Sequence, residues 1–136
     1  MYCNVEDVSI LCGFTEFTAD TRPTLTQVTN LIIQSDNIIK MYCKRQGIEL
    51  TSQIELKEAE VLRYLSSIRT AGMIALTYLA NQQVADGTQA MTFFKLFNET
   101  IESFCKVMRR VTPSSDYLDD SFKSDNFLVK DNEKGY

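Results

Sequence analysis

The stretch Phe17-Thr18-Ala19-Asp20-Thr21-Arg22-Pro23-Thr24-Leu25-Thr26-Gln27-Val28 confines the chain more than any other: a loop stops at a proline and a long helix starts at once. Pro23 keeps the residue before it out of helical geometry. The Thr24 hydroxyl is placed to accept the Gln27 N–H while the Gln27 amide reaches back to the Thr24 N–H, which satisfies two orphan donors at a helix start. From Leu25 to Gln46, residues Val28, Leu31, Ile32, Ser35, Ile39, Tyr42 and Cys43 recur at a spacing close to 3.6, the period of one buried helical face. Lys44 and Arg45 suit the negative end of that helix, and Gly47 stops it.

Three further helices follow from the same signals. Asn4 predicts the cap of a short opening helix, with Glu6 and Asp7 at its positive end, Gly13 at its close, and Val5, Val8 and Leu11 or Cys12 turned inward. Ser52 with Glu55 three residues later predicts a second capping box and a helix running to about Gln83, roughly 45 Å long at about 1.5 Å per residue. Its apolar face reads Val61, Leu62, Leu65, Ile68, Gly72, Ala75, Leu76 and Leu79, and the small residues Ala71, Gly72 and Ala75 permit close approach of a neighbour. After the break at Asp86-Gly87, Thr88 caps a last helix that ends near Val111, before Pro113. Phe93, Phe94, Phe97, Ile101, Phe104, Cys105 and Met108 form its apolar side, a stripe that reads as core. The expected fold is all-α: a small bundle of three long helices plus a short N-terminal helix over residues 1–113, followed by an extended tail over 114–136.

At 136 residues, 44% apolar and 24% charged, the chain has the composition of one globular body. The formal charge of -4 argues against a protein that grips nucleic-acid phosphates, which requires clustered Lys and Arg. There is no histidine, and the four cysteines at 3, 12, 43 and 105 are far apart in sequence, so a zinc site is not expected; Cys12, Cys43 and Cys105 read as small buried hydrophobes. No Gly-rich phosphate loop and no nucleophile with a base appears. Glu55, Glu58, Glu60, Glu99 and Glu102 read as solvated surface rather than acid–base pairs, and Lys106, Arg109 and Arg110 as cations favoured at a helix C-terminus. We expect no enzyme, no cofactor and no metal. The N-terminus lacks a charged region followed by an apolar run, and Met73 to Ala80 falls far short of the roughly 20 residues of a membrane span, so a soluble cytoplasmic protein with no membrane partner is expected.

The tail carries Asp116, Asp119, Asp120, Asp125, Asp131 and Glu133 against Lys123, Lys130 and Lys134, so most of the net negative charge sits there. Disordered extensions are poor in aromatic residues, whereas this one holds Tyr117, Leu118, Phe122, Phe127, Leu128, Val129 and Tyr136. These are the candidate partner-binding residues. Extended, the segment spans roughly 75 Å, enough to cross an adjacent subunit.

The Phe17 to Val28 segment, an aromatic and small residue, then Thr-Arg-Pro-Thr and a periodic helix, resembles the first long helix of the head-tail connector (neck adaptor) proteins of tailed bacteriophages. By pattern the likeness extends over residues 4 to 112. It implies a structural virion protein at the head–tail junction, assembled in the host cytoplasm. About a dozen copies would form a ring under the portal protein, lengthen a channel through which double-stranded DNA passes without specific binding, and dock the next neck, stopper or tail component. The same body and tail without the motif describe a second class, a small intracellular adaptor or regulator that binds one partner through its tail.

Overall fold

The computed structural model describes residues 1–13, 16–79 and 88–111, with only the backbone at Leu79, Thr88 and Val111. The described residues are helical without strands: α1 (Val5–Cys12), α2 (Leu25–Arg45), α3 (Ser52–Lys57), α4 (Ala59–Ile74), a single π-helical turn (Ala75–Leu79) and α5 (Thr88–Val111). This is a small all-α bundle with α4 at its centre, packed against α1, α2 and α5. The break at Asp86-Gly87 and the whole tail lie outside the described residues.

Local chemistry sets the ends. The Thr24–Gln27 box forms as read, with Thr24 N–H donating to Gln27 Oε1 at 2.9 Å and Gln27 N–H to Thr24 Oγ1 at 3.2 Å. Ahead of it, the Thr18 carbonyl accepts the Leu25 N–H at 2.9 Å and Thr18 N–H donates to Thr21 Oγ1 at 2.9 Å, folding the loop back on the helix start. The Arg22–Pro23 peptide is cis. Pro23 and Phe17 are buried, so the loop is part of the core rather than a tether. At the other end of α2, Gly47 takes φ +80°, its N–H bonds the Lys44 carbonyl at 3.0 Å, and Ile48 N–H bonds the Cys43 carbonyl at 2.8 Å. That pair of bonds needs a left-handed residue and tucks Ile48 beneath the helix, where it is buried.

Two clusters make the core. The larger joins Ile39, Cys43 and Ile48 to Leu62, Leu65 and Ile68 of α4 and to Phe97, Ile101, Phe104, Cys105 and Met108 of α5. The smaller gathers Cys3, Val8, Phe17, Val28, Ile32 and Ile74 around α1. The phenylalanine stripe is thus largely interior, as its period predicts. In α1, Val8 is fully buried, whereas Val5, Leu11 and Cys12 are only partly so.

Three expectations are corrected. The helix after Gly47 is not continuous: Glu58 leaves helical geometry at φ -106° and ψ 28°, which separates α3, with no fully buried residue, from the well-buried α4. Its cap is Thr51, whose hydroxyl accepts the Ile54 N–H at 3.3 Å, and not Ser52 one residue on. No reciprocal box forms, because Thr51 rather than Ser52 has the extended backbone of a cap, and Glu55 accepts a hydrogen bond from Tyr2 instead. Leu76, assigned to the inner face, is 53% exposed. It lies in the π-helical turn after Ile74, where the 3.6-residue period used to assign the inner face no longer applies. The last helix includes Thr88 in its first turn, and that residue's side chain lies outside the described set.

The small residues of α4 do admit a close neighbour. A methyl group built on Gly72 would meet Phe94 Cε1 at 3.1 Å and Phe93 Cβ at 3.2 Å, so α5 rests directly on the α4 backbone there. Gly72→Leu should therefore force the two helices apart and cost about 1–3 kcal/mol, the usual penalty of overpacking, read as a lowered thermal midpoint by circular dichroism.

Candidate functional site

The seven tail residues assigned to partner binding, Tyr117, Leu118, Phe122, Phe127, Leu128, Val129 and Tyr136, lie outside the described residues. Within the described body, a buried polar anchor and two of its surface crevices carry charged groups in defined contacts.

The anchor is Asp36, which falls on the buried side of α2 between Ile32 and Ile39 and is only 6% exposed. Its carboxylate accepts Ser66 Oγ–H at 2.6 Å and Tyr2 N–H at 3.0 Å, tying the N-terminal residues to α2 and α4. Cys3 Sγ lies 3.4 Å from the same Ser66 hydroxyl, and burial pushes its thiol up to about 11. One helical step away, the Ser35 and Thr70 hydroxyls meet at 2.9 Å. Tyr2 O–H donates to Glu55 Oε2 at 2.5 Å, and burial followed by that bond holds the phenol far above its ordinary value. Lys40 sits 5.6 Å from the centre of the Tyr2 ring.

The first crevice lies between α1 and α4, lined by Asp7, Ile10, Leu11, Glu60, Arg63, Tyr64 and Ser67. Asp7 has two tasks there. It closes the α1 capping box with Asn4, through N–H···O contacts of 3.0 Å in both directions, and it takes a two-pronged contact from Arg63 at 2.7 and 2.9 Å. Ile10, at 78% exposed, and Tyr64, at 42%, leave apolar surface beside that ion pair.

The second crevice, of about 260 Å³, is lined by Leu31, Gln34, Ser35, Asn37 and Ile38 of α2 and by Arg69 and Met73 of α4. The Arg69 guanidinium also lies 5.8 Å from the Phe94 ring centre and 5.7 Å from that of Phe97 on α5. No carboxylate among the described residues pairs with Arg69, and partial burial lowers its pKa, although a guanidinium stays charged at any physiological pH. At 100° per residue the two crevices stand about 150° apart around α4, so they belong to different sides of the body.

The Cys43 and Cys105 sulfurs lie 3.9 Å apart in the core, both as thiols. The contact with Cys105 and burial hold the Cys43 thiol far above its ordinary value. Burial likewise raises Cys12 to about 11. Among the described residues no three His, Cys, Asp or Glu side chains are grouped to hold a metal, and no helix is long and apolar enough to cross a membrane. Glu60, Glu99 and Glu102 are exposed, while Glu55 is engaged by Tyr2. Arg109 Nη1 donates to Gln46 Oε1 at 2.5 Å, joining the ends of α5 and α2.

Comparison with known proteins adds no relative. No family model, curated protein or solved structure matches the chain.

Asp36 was open to discovery in the sequence, since a carboxylate inside an apolar period must find donors. Arg69 was not, because its partners come from a helix some 25 residues on.

The Arg63 contact, opposed in part by burial, holds the Asp7 carboxyl below its ordinary pKa. A folded value below the unfolded one gives stability that is complete above about pH 4 and is lost as pH falls through the depressed value. Asp7→Asn should lower stability at pH 7 and shrink its loss between pH 5 and pH 2 relative to the parent chain, measured by urea melts across that range.

Proposed function

We propose that the chain is a head-tail connector of a tailed bacteriophage: a structural subunit that closes into a ring beneath the portal, extends the DNA channel and docks the next neck component. The observation that carries this reading is the placing of exposed apolar groups on unlike sides of one helical body. Ile10 and Tyr64 flank the α1–α4 crevice, while Ile33 and Met41, each 45% exposed and two turns apart, stand on the outward face of α2. A ring is built by a heterologous contact, in which one face of each subunit meets a different face of the next. The clasped Thr18–Pro23 loop supports the same reading, since it brings Phe17 and Pro23 of the connector resemblance into the core at the start of α2. The net negative charge, most of it in the tail, keeps passing DNA from sticking to the assembly. About a dozen copies, with the portal above and a stopper or tail protein below, complete the assembly.

Light scattering and electron microscopy of the chain mixed with portal rings test it. A ring beneath the portal is the expected outcome; a monomer with no affinity for any portal would favour the single-partner adaptor instead. Tyr64→Lys and Met41→Lys should each abolish the ring. An equimolar mixture of the two variants should stop at dimers, because one intact contact survives between unlike copies. Removing residues 114–136 should leave the body cooperatively folded, by circular dichroism and thermal melt, while abolishing attachment to the portal.

A further inference from the structure

The Arg69 crevice combines features that need an occupant of definite chemistry. It holds a half-buried cation stacked on two phenylalanine rings, with no carboxylate partner among the described residues. Its remaining walls are apolar at Leu31, Ile38 and Met73, with the Gln34 and Asn37 amides on the rim. A fitting ligand is an extended segment with an acidic residue between apolar ones, its backbone within reach of the rim amides.

The chain carries such a segment. Leu118, Asp120 and Phe122 alternate with Asp119 and Ser121, so an extended backbone sends all three side chains to one side. The distances agree as well. The Cys43–Cys105 and Gln46–Arg109 contacts show that α2 and α5 run parallel, with Val111 at the same end as Gln46. From Val111 back to the level of Phe94 and Phe97 is about 23 Å of helix at 1.5 Å per residue. Extended chain covers that distance in about seven residues, and a reversal after Val111 adds one or two, which brings Asp119 or Asp120 level with Arg69. Beyond it, Asp120 to Phe122 spans about 6.6 Å of extended chain, against about 6 Å from Arg69 to Met73 along α4.

We propose that residues Leu118–Phe122 of the same chain dock in the crevice between α2 and α4, with the Asp120 carboxylate on the Arg69 guanidinium and Phe122 against Met73. Charge complementarity favours this occupant, since the tail holds six acidic against three basic residues. The free subunit thereby keeps its tail against its own body. This docking is independent of whether the subunit forms a ring.

The test uses the full chain with Phe122→p-benzoylphenylalanine, irradiated and mapped by mass spectrometry. The expected product is a cross-link within one chain to the peptide containing Met73 or to that containing Leu31, with a yield independent of protein concentration. Arg69→Glu should reduce it about tenfold, as loss of one charge-assisted contact predicts. Asp120→Lys, which leaves the described body intact, should do the same, and combining it with Arg69→Glu should restore the yield. Cross-links that join two chains, that fall elsewhere on the body, or that are indifferent to Asp120→Lys would overturn the proposal.

Discussion

The seam between α2 and α4 depends on a short row of buried polar contacts. An apolar seam between antiparallel helices can slide by a turn at small cost, because one aliphatic side chain replaces another. Ser35 against Thr70 and Asp36 against Ser66 do not allow that. Shifting α4 by one turn would leave a carboxylate and three hydroxyls buried without partners, at roughly 1–3 kcal/mol for each group. Asp36 also takes the Tyr2 N–H, so the same contacts that fix the register of two helices fix where the chain begins. The Gly72 seam, the Arg69 stack and both crevices follow from that register.

Local chemistry was legible in the sequence wherever a side chain acts on backbone within three or four residues. Asn4, Thr24, Gly13 and Gly47 mark helix ends where they stand, and the 3.6 period of α2 and α5 identifies their buried faces. Periodicity failed at Glu58, because whether a helix continues through a given residue is decided by what packs on each half. The Tyr2–Glu55 bond holds α3 and the Asp7–Arg63 pair holds α4, and their partners are 53 and 56 residues away in sequence. Arg69 and the Cys43–Cys105 contact were hidden for the same reason. A crevice belongs to three helices, and no single helix announces it.

The exposed apolar groups of the described body differ in their surroundings from side to side. The α1–α4 side carries an ion pair bordered by Ile10 and Tyr64, so a partner that covers it must meet both charge and apolar surface. The outward face of α2 offers Ile33 and Met41 with Lys40 and Lys44 near them. An isologous dimer would set like surface against like. A contact between the two unlike sides would instead pair apolar with apolar, and repeated contacts of that heterologous kind either polymerise or close.

The two sulfurs in the core carry a different kind of information. Cys43 and Cys105 are buried in the core cluster that α2, α4 and α5 share, and the contact with Cys105 together with burial keeps Cys43 from becoming a thiolate while the bundle is shut. Their chemistry is therefore coupled to the parting of those helices and not to the redox state outside. The protein contains a natural reporter of its own breathing: the rate at which a small thiol reagent reaches this pair measures how often the bundle opens.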